Sequence, residues 1–428
     1  MTRTLSFQTS FGAQPRQDRQ DVLPGTSSIM LREQAENGRN EGVLILGGGI
    51  AGTTAAEEIR KKNADVAITI LEQEHHPLYS RVLLPHYVKG KIPREKVFLK
   101  TWEWYEKNHI EMMAGIRVEL IDIPNRFVRT SEGRELPFDV LILAGGGELN
   151  VIGGEPRGVS YLRGIDDADE LVGLLKETLM RSESDRRGVV YGSGFIALEY
   201  INIFKHFGIS CDVVMRGRGF WSSTLSAHSQ DVLAKKAIDG GTVLHANEAE
   251  PEILGERDVT GVKLSSGIEI PCSILGIGIG MHADQSFYRD CGIEIERGVV
   301  VNEYLETAHP SVYGIGDCAE FFDTNVARHV VYGNWMNAQS QGRAVAKTIC
   351  GERAPFNLVS SYATHLFDMH IVFIGDVDRK AADEVKQIVA TESASVEEFY
   401  RKGKIVGAVL IGDISGRATI TARISARE

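Results

Sequence analysis

The chain has 428 residues, of which 43% are apolar and 25% are charged, and its formal net charge is −11 at pH 7. That length is enough for two or three hydrophobic cores, and the composition excludes a fibrous or mostly disordered protein. The negative charge argues against general nucleic-acid binding, which needs a basic surface, and no apolar stretch approaches the roughly 20 residues that cross a bilayer.

Residues 1–40 are predicted to form a disordered tail. They contain few large apolar side chains, so they cannot bury enough surface to offset the entropy lost on ordering. They lack the continuous apolar core of a signal peptide, and the acidic residues Asp18, Asp21, Glu33 and Glu36 are unlike a transit peptide. We therefore expect a cytoplasmic protein.

A glycine-rich turn follows this tail. The apolar run Val43–Leu46 leads into Gly47, Gly49 and Gly52, a spacing typical of strand-turn-helix units that bind the pyrophosphate of a dinucleotide. The next apolar run ends at Glu72, whose carboxylate can accept hydrogen bonds from both hydroxyl groups of an unphosphorylated ribose. The pattern predicts an FAD or NAD site at this turn.

The residues between about 116 and 147 are predicted to be strands. Residues 116–121 and 126–129 alternate in polarity, as in a hairpin or a three-stranded meander. Residues 136–144 are a continuous apolar strand that ends at Ala144 and runs into Gly145–Gly147. Such a glycine run is a tight turn at which the backbone can also approach a ligand closely.

A second glycine turn lies about 145 residues after the first. Gly192, Gly194 and Ala197 follow the apolar residues 189–191, after a predicted helix over residues 166–179. Strand-like segments between residues 259 and 280 then repeat the order of segments seen after the first turn. This internal similarity supports two related nucleotide-binding units.

The residue that ends the next strand distinguishes the two turns. After the second turn this residue is Arg216, with Arg218 two positions later. Guanidinium groups suit a ribose 2′-phosphate, which favours NADPH at this site. Basic residues after a strand are also common as solvated surface groups, so NADH remains the alternative.

The rest of the chain completes this organisation. Residues 311–317 form an apolar strand that ends in Gly-Asp, residues 334–349 have a helical pattern, and the segments 371–374, 396–400 and 404–411 are strand-like. We predict an α/β protein with two Rossmann-like, three-layer domains around central parallel sheets and a small α+β domain at the C-terminus. The limits are residues 42–157 with 282–352 for the first domain, 158–281 for the second and 355–428 for the third.

The five cysteines are Cys211, Cys272, Cys291, Cys318 and Cys350, and no two are spaced as CxxC or CxxxxC. A dithiol relay needs two neighbouring thiols, and a zinc or iron-sulfur site needs several clustered ligands. We expect buried, reduced cysteines and no metal site.

The segment from Arg81 to Lys100 carries six basic residues against one glutamate. Such a segment could dock an acidic redox protein by electrostatic steering. The alternative is a solvated face with one residue in a ligand site.

In this order, these segments resemble the pyridine nucleotide-disulfide oxidoreductase superfamily. Within it, they are most similar to the branch without redox cysteines, which includes rubredoxin reductases, ferredoxin reductases and the flavin module of nitrite reductase large subunits. The resemblance covers residues 42–424. It rests on residues 47–52 with Ala56, on Glu72, and on residues 78–90, 143–147, 192–199, 307–320 and 400–412.

The resemblance implies a role for individual residues. The implied FAD-binding residues are Gly47, Gly49, Gly52, Glu72, Arg81, Pro85, Ala144, Gly145, Gly146 and Asp317. The implied NAD(P)-binding residues are Gly192, Gly194, Ala197, Glu199, Arg216 and Arg218. Glu199, Arg81 and His86 would lie where hydride passes from nicotinamide to flavin. His86 occupies the position of a lysine in some ferredoxin reductases, so it could pair with Glu199, or it could be structural.

The resemblance also implies an activity. It points to a flavoprotein oxidoreductase that performs electron transfer between NAD(P)H and an iron-sulfur protein or a partner subunit, and it leaves oligomerisation open. One alternative is the flavoprotein subunit of a multi-subunit oxidoreductase of the 2-oxoacid dehydrogenase or nitrite reductase type. Another is a non-catalytic, FAD-binding regulator, because a fold does not fix a function. An NADH oxidase or peroxide reductase fits less well, since these usually employ a cysteine near the flavin.

Overall fold

The computed structural model describes residues 42–154 and 156–428, so the predicted tail over residues 1–40 lies outside the described residues. The described chain begins with the first glycine turn and the strands around it. Its elements are β1 (Val43–Leu46), α1 (Ile50–Lys62), β2 (Ile68–Glu72), α2 (Leu84–Val88), α3 (Trp102–Lys107), β3 (Glu111–Ala114), β4 (Val118–Asp122), β5 (Phe127–Thr130), β6 (Glu135–Pro137), β7 (Val140–Leu143) and β8 (Glu148–Leu149).

The next segment contains the second glycine turn and its own parallel sheet. Its elements are β9 (Val159–Ser160), α4 (Ile165–Leu179), β10 (Arg187–Gly192), α5 (Phe195–Phe207), β11 (Ser210–Met215), α6 (Ala227–Asp239), β12 (Thr242–Ala246), β13 (Glu252–Leu254), β14 (Gly261–Lys263), β15 (Glu269–Pro271), β16 (Ile274–Gly278) and β17 (Met281–His282). The strands β12-β11-β10-β16-β9 are all parallel.

The chain then returns to the first sheet. The elements of this segment are α7 (Gln285–Asp290), β18 (Val299–Val301), β19 (Val312–Gly314), β20 (Ala319–Asp323), β21 (Arg328–Val330) and α8 (Trp335–Ile349). Strand β19 adds to β7, which gives the parallel order β19-β7-β1-β2-β3, and α8 packs against α1. Strands β4, β5 and β6 form a three-stranded meander, one of the two arrangements predicted. The single strand predicted over residues 136–144 is wrong, because β6 ends at Pro137 and β7 begins at Val140 in the parallel sheet.

A five-stranded antiparallel sheet with one helix closes the chain. Its elements are β22 (Ser361–Leu366), β23 (Met369–Gly375), β24 (Glu384–Ala390), β25 (Ser395–Arg401), β26 (Lys404–Ile411) and α9 (Arg417–Ser425), with the strand order β22-β23-β26-β25-β24. This unit contacts both parallel-sheet units. The Asn202 side chain on α5 donates to the carbonyl of His365 at 2.8 Å, and Arg328 on β21 donates to Asp376 at 2.7 Å.

The predicted α/β architecture, with two parallel sheets and a smaller α+β unit, is therefore confirmed. The central strands β1 and β10 are buried, apart from the first residue of β10, and each has a parallel neighbour on both sides. In such sheets, ligands bind beyond the carboxyl ends of the strands. Both glycine turns lie at those ends.

Candidate functional site

The first glycine turn, residues 47–52, has two positions that only glycine can occupy and one that faces open space. Gly47 has φ +109°, and a Cβ atom there would clash with the carbonyl oxygen of Ala144. A Cβ atom on Gly52 would clash with the carbonyl of Gly47. A Cβ atom on Gly49, the N-cap of α1, would meet no protein atom within 4 Å. This leaves room for an anionic ligand at the helix N-terminus.

Glu72 ends β2 beside this turn. One carboxylate oxygen accepts the backbone N–H of Gly48 at 2.6 Å, and the other accepts the N–H of Glu74 at 2.9 Å. Burial raises the pKa of Glu72, and the two backbone N–H bonds oppose that rise. Each carboxylate oxygen keeps a lone pair, so Glu72 is held in place and can still accept ribose hydroxyl groups.

Asp317 follows β19 at the carboxyl edge of the first sheet. Its Oδ1 atom is buried and has no hydrogen-bond partner among the described residues, and burial raises the pKa of this carboxyl. A buried acceptor without a partner costs about 1–3 kcal/mol, so the orphaned oxygen marks a place for a donor from a ligand. The open space beside Gly49, the Glu72 carboxylate and the buried Asp317 oxygen together fit FAD.

Sequence reasoning missed Arg163, which precedes α4. Its Nη2 donates to the carbonyl of Gly147 at 3.2 Å and lies 3.3 Å from the position of a Cβ on Gly146. Burial lowers the pKa of Arg163, and the charge of Arg81 adds to this effect, whereas Asp317 opposes it. No motif surrounds Arg163 in the sequence, and only the fold brings it to the glycine run.

Arg81 is fixed at one wall of the same site. Its guanidinium donates to Glu74 Oε1 at 2.6 Å and to the carbonyl of Arg163 at 2.7 Å, and the Tyr79 hydroxyl donates to Glu74 Oε2 at 2.6 Å. Pro85 is buried in the first turn of α2. The predicted flavin-edge segment is thus anchored through Glu74.

The second glycine turn, residues 192–197, repeats the geometry of the first. Gly192 has φ +137°, and a Cβ atom there would clash with the carbonyl of Gly278 on the neighbouring strand. Ala197 is fully buried and lies close to Gly278. A Cβ atom on Gly278 would lie 2.8 Å from the backbone nitrogen of Ala197. Gly194 is the N-cap of α5, and the space beside it is open apart from Trp221. This turn can also hold a pyrophosphate.

Glu199 lies one helical turn into α5 and faces Lys89, just after α2. Burial raises the pKa of Glu199, and Lys89 opposes that rise. Lys89 is only 7% exposed, and burial lowers its pKa while Glu199 opposes that shift. The sequence analysis left His86 either as a partner of Glu199 or as a structural residue, and the charge that acts on Glu199 in the structure is that of Lys89. Burial and the charges of Lys89 and Lys91 lower the pKa of His86.

The two arginines after β11 differ in their surroundings. Arg218 donates to Asp231 at 2.6 Å and to the carbonyl of Ala227 at 3.1 Å, so α6 holds it. Arg216 is exposed and has no hydrogen bond or ion pair with any described residue. Arg216 is therefore the one of the two that is free to meet a ligand phosphate.

The basic segment from Arg81 to Lys100 is largely neutralised within the protein. Arg94 pairs with Asp169 at 2.8 Å, Lys100 pairs with Glu57 at 2.9 Å, Arg81 pairs with Glu74, and Lys89 is buried. The segment is therefore not a continuous free basic surface.

The cysteines are all free thiols. Burial raises the pKa of Cys318, next to Asp317, to about 11 and the pKa of Cys272 to about 12, which disfavours the reactive thiolate. Among the described residues, no group of histidine, cysteine and acidic side chains could hold a metal ion. No helix within residues 42–154 and 156–428 is long and apolar enough to cross a membrane.

Comparison with known proteins gives consistent results. Residues 41–342 match the family named pyridine nucleotide-disulphide oxidoreductase. An NAD(P)H nitrite reductase of Bacillus subtilis (strain 168) is 29% identical over 87% of this chain and 46% of its own length. A rubredoxin-NAD(+) reductase of Pseudomonas putida is 27% identical over 83% of this chain and 91% of its own length.

Solved structures share the fold. The covalent putidaredoxin reductase-putidaredoxin complex aligns with a TM-score of 0.82 at 21% identity, covering 90% of this chain and 93% of the other. NADH:rubredoxin oxidoreductase from Clostridium acetobutylicum aligns with a TM-score of 0.74 at 23% identity over 90% and 95% of the two chains. The chain spans about half the length of the Bacillus subtilis relatives that it matches.

Proposed function

The chain belongs to the pyridine nucleotide-disulphide oxidoreductase family, and we propose that it is an FAD-dependent NAD(P)H oxidoreductase that exchanges electrons with an iron-sulfur carrier. The membership confirms the predicted oxidoreductase class and the cofactors FAD and NAD(P). The observation that carries the proposal is the pair of glycine turns, each of which lies at the carboxyl end of a central parallel strand. Glu199 of the second parallel-sheet unit interacts with Lys89 of the first.

Different residues hold FAD and NAD(P). Gly47, Gly49 and Gly52 would hold the FAD pyrophosphate, Glu72 would hold its adenosine ribose, and Asp317 would bond the ribityl-pyrophosphate region. Bound flavin supplies the conversion between two-electron hydride transfer and single-electron transfer. The second turn holds NAD(P), and Glu199 with Lys89 orients the nicotinamide and sets the local charge.

The electrons then leave to another protein. A dithiol acceptor within the chain is disfavoured, because burial raises the pKa of Cys318 beside the flavin site and so disfavours its thiolate. Relatives named rubredoxin-NAD(+) reductase and putidaredoxin reductase support an iron-sulfur carrier as the acceptor.

A second candidate is the flavoprotein part of a larger reductase. The nitrite reductase relative is about twice as long as the aligned region, which favours a module that passes electrons to further domains or subunits. Copurification with iron-sulfur subunits from the native cells would support this candidate.

We also propose the domain limits and location that the sequence suggested. Residues 42–157 with 282–352 form the FAD domain, residues 158–281 the NAD(P) domain and residues 355–428 the C-terminal domain, since the main β-sheets respect these limits. Five free cysteines support a reducing, cytoplasmic location.

Assays with separate acceptors test the proposal. Purified protein is mixed anaerobically with NADH or NADPH and with rubredoxin, ferredoxin or a dye, and the absorbance of each acceptor is followed. We expect at least one iron-sulfur protein to be reduced. Rapid consumption of oxygen or peroxide with no reduction of either carrier contradicts the proposal.

Arg216→Gln is expected to weaken NADP+ binding by roughly tenfold and to change NAD+ binding little. Arg216 is the unpaired guanidinium at the end of β11, and a charge-assisted hydrogen bond to phosphate is worth more than a neutral one. Calorimetric titration of both nucleotides measures the effect. Arg257→Gln, which changes another exposed arginine of the same unit, is the control. Equal affinities for NADP+ in wild type and Arg216→Gln would mean that a group other than Arg216 binds the ribose.

Lys89→Met is expected to raise the pKa of Glu199 further, because it removes the positive charge that opposes the effect of burial. The pH profile of flavin reduction by NAD(P)H should then move to higher pH. Lys91→Met removes a nearby exposed charge that does not act on Glu199 and is the matched control. An unchanged profile in Lys89→Met contradicts the role of this pair.

A further inference from the structure

Trp221 has an unusual backbone conformation beside the second glycine turn. It lies between β11 and α6 with φ +43°, a left-handed conformation that bulky residues seldom adopt. Its N–H donates to the carbonyl of Ser193 at 3.1 Å, and its own carbonyl accepts the N–H groups of Thr224 and Leu225 at 2.8 and 2.9 Å. The surrounding backbone thus holds a strained residue against the turn, as is common at functional sites.

The indole nitrogen of Trp221 lies beside the space that the turn leaves open. A Cβ atom on Gly194 would lie 3.9 Å from Trp221 Nε1, and that nitrogen has no hydrogen-bond partner among the described residues. Trp221 is partly buried, and this nitrogen is not among the buried unpaired polar atoms of the described residues, so it keeps some exposure. The indole nitrogen is only a donor, and Gly194 is the N-cap of α5, where an anion is favoured.

The C-terminal unit fixes the indole ring in this place. Trp221 packs on Phe195 with ring centroids 4.9 Å apart, and on Phe373 of β23 at 5.1 Å. Phe373 is only 1% exposed and stacks on Tyr362 of β22 at 5.4 Å with an interplanar angle of 5°. Two aromatic neighbours, Phe195 of α5 and Phe373 of β23, therefore restrict the ring, and Tyr362 packs against both of them.

We propose that Trp221 is a binding residue for the nicotinamide dinucleotide, whose pyrophosphate accepts a hydrogen bond from the indole N–H. The C-terminal unit then contributes to nucleotide binding through Phe373 and Tyr362, which hold the donor in position. This inference rests on the proposed assignment of the second turn to NAD(P).

Trp221→Phe tests the donor, because phenylalanine keeps the packing on Phe195 and Phe373 but lacks the N–H. Calorimetry on the FAD-loaded protein should show that NAD+, NADP+ and ADP-ribose all bind roughly ten- to a hundredfold more weakly to Trp221→Phe. ADP-ribose retains the pyrophosphate but lacks nicotinamide, so it locates the contact. Trp104→Phe, in the first unit, is the control and should bind all three as wild type does.

Fluorescence provides a second readout. Each nucleotide should change the tryptophan emission of wild type and Trp104→Phe, and this change should be absent in Trp221→Phe. Unchanged affinities in Trp221→Phe would make Trp221 a packing residue only, and a loss confined to NAD+ and NADP+ would overturn the pyrophosphate contact. If wild type itself binds none of the three ligands, the assignment of the second turn fails as well.

Discussion

Gly49→Glu is expected to produce a folded protein that does not retain FAD. A Cβ atom at Gly49 meets no protein atom within 4 Å, so the fold should persist, but the carboxylate enters the space assigned to the pyrophosphate. Two unit charges 4 Å apart repel by about 4 kcal/mol at an effective dielectric constant of about 20, which corresponds to roughly a thousandfold loss of affinity. Flavin absorbance after gel filtration and titration of the apoprotein with FAD measure the effect.

Two matched variants make this result specific. Gly194→Glu places the same charge at the second turn, so it should retain FAD and lose NAD(P)+ binding by a similar factor. Gly173→Glu adds the same charge on α4, where a Cβ atom also meets nothing, and should bind both nucleotides normally. If Gly49→Glu retains FAD, or if Gly194→Glu releases it, the assignment of the two turns is wrong.

Asp317→Ala is expected to weaken FAD binding by roughly ten- to a hundredfold. The buried Oδ1 atom of Asp317 lacks a partner, and a hydrogen bond from a ligand hydroxyl to a carboxylate is worth about 1.5–3 kcal/mol. Asp317→Asn keeps an acceptor but loses the charge, so its affinity should lie between those of wild type and Asp317→Ala. Fluorescence titration of each apoprotein with FAD gives the three dissociation constants.

Asp323 provides the control for the effect on stability of replacing a buried aspartate. This residue accepts the N–H of Asn325 at 2.8 Å and the Tyr332 hydroxyl at 3.2 Å, so it is satisfied within the protein. Asp323→Asn should lower thermal stability with little change in the FAD dissociation constant. An identical FAD affinity for wild type and Asp317→Ala would show that the orphaned oxygen does not mark the flavin site.

Local sequence patterns predicted the parts of the site that depend on the geometry of one short segment. The turns at Gly47 and Gly192 need left-handed glycines between a buried strand and a helix, and that requirement is visible as spacing. Glu72 was found for the same reason, because it ends the strand that pairs with β1. The sheets followed from runs of apolar residues.

Contacts between distant segments were not predictable in this way. Arg163 donates to the carbonyl of Gly147, 16 positions before it, and Trp221 meets Phe373 about 150 positions later, and neither residue belongs to a motif. His86 and Lys89 are three positions apart near one helix end, and only the packing of α2 against α5 shows that Lys89 is the charged neighbour of Glu199. The same holds for Arg216 and Arg218, which differ only through the partner that α6 supplies to Arg218.

Anaerobic titration of the purified protein with NADH and with NADPH tests the central claim most directly. The visible absorbance of the bound flavin should bleach with at least one of the two nucleotides and return when an iron-sulfur acceptor is added. Bound flavin that remains oxidised with both nucleotides would contradict electron transfer between the two glycine turns.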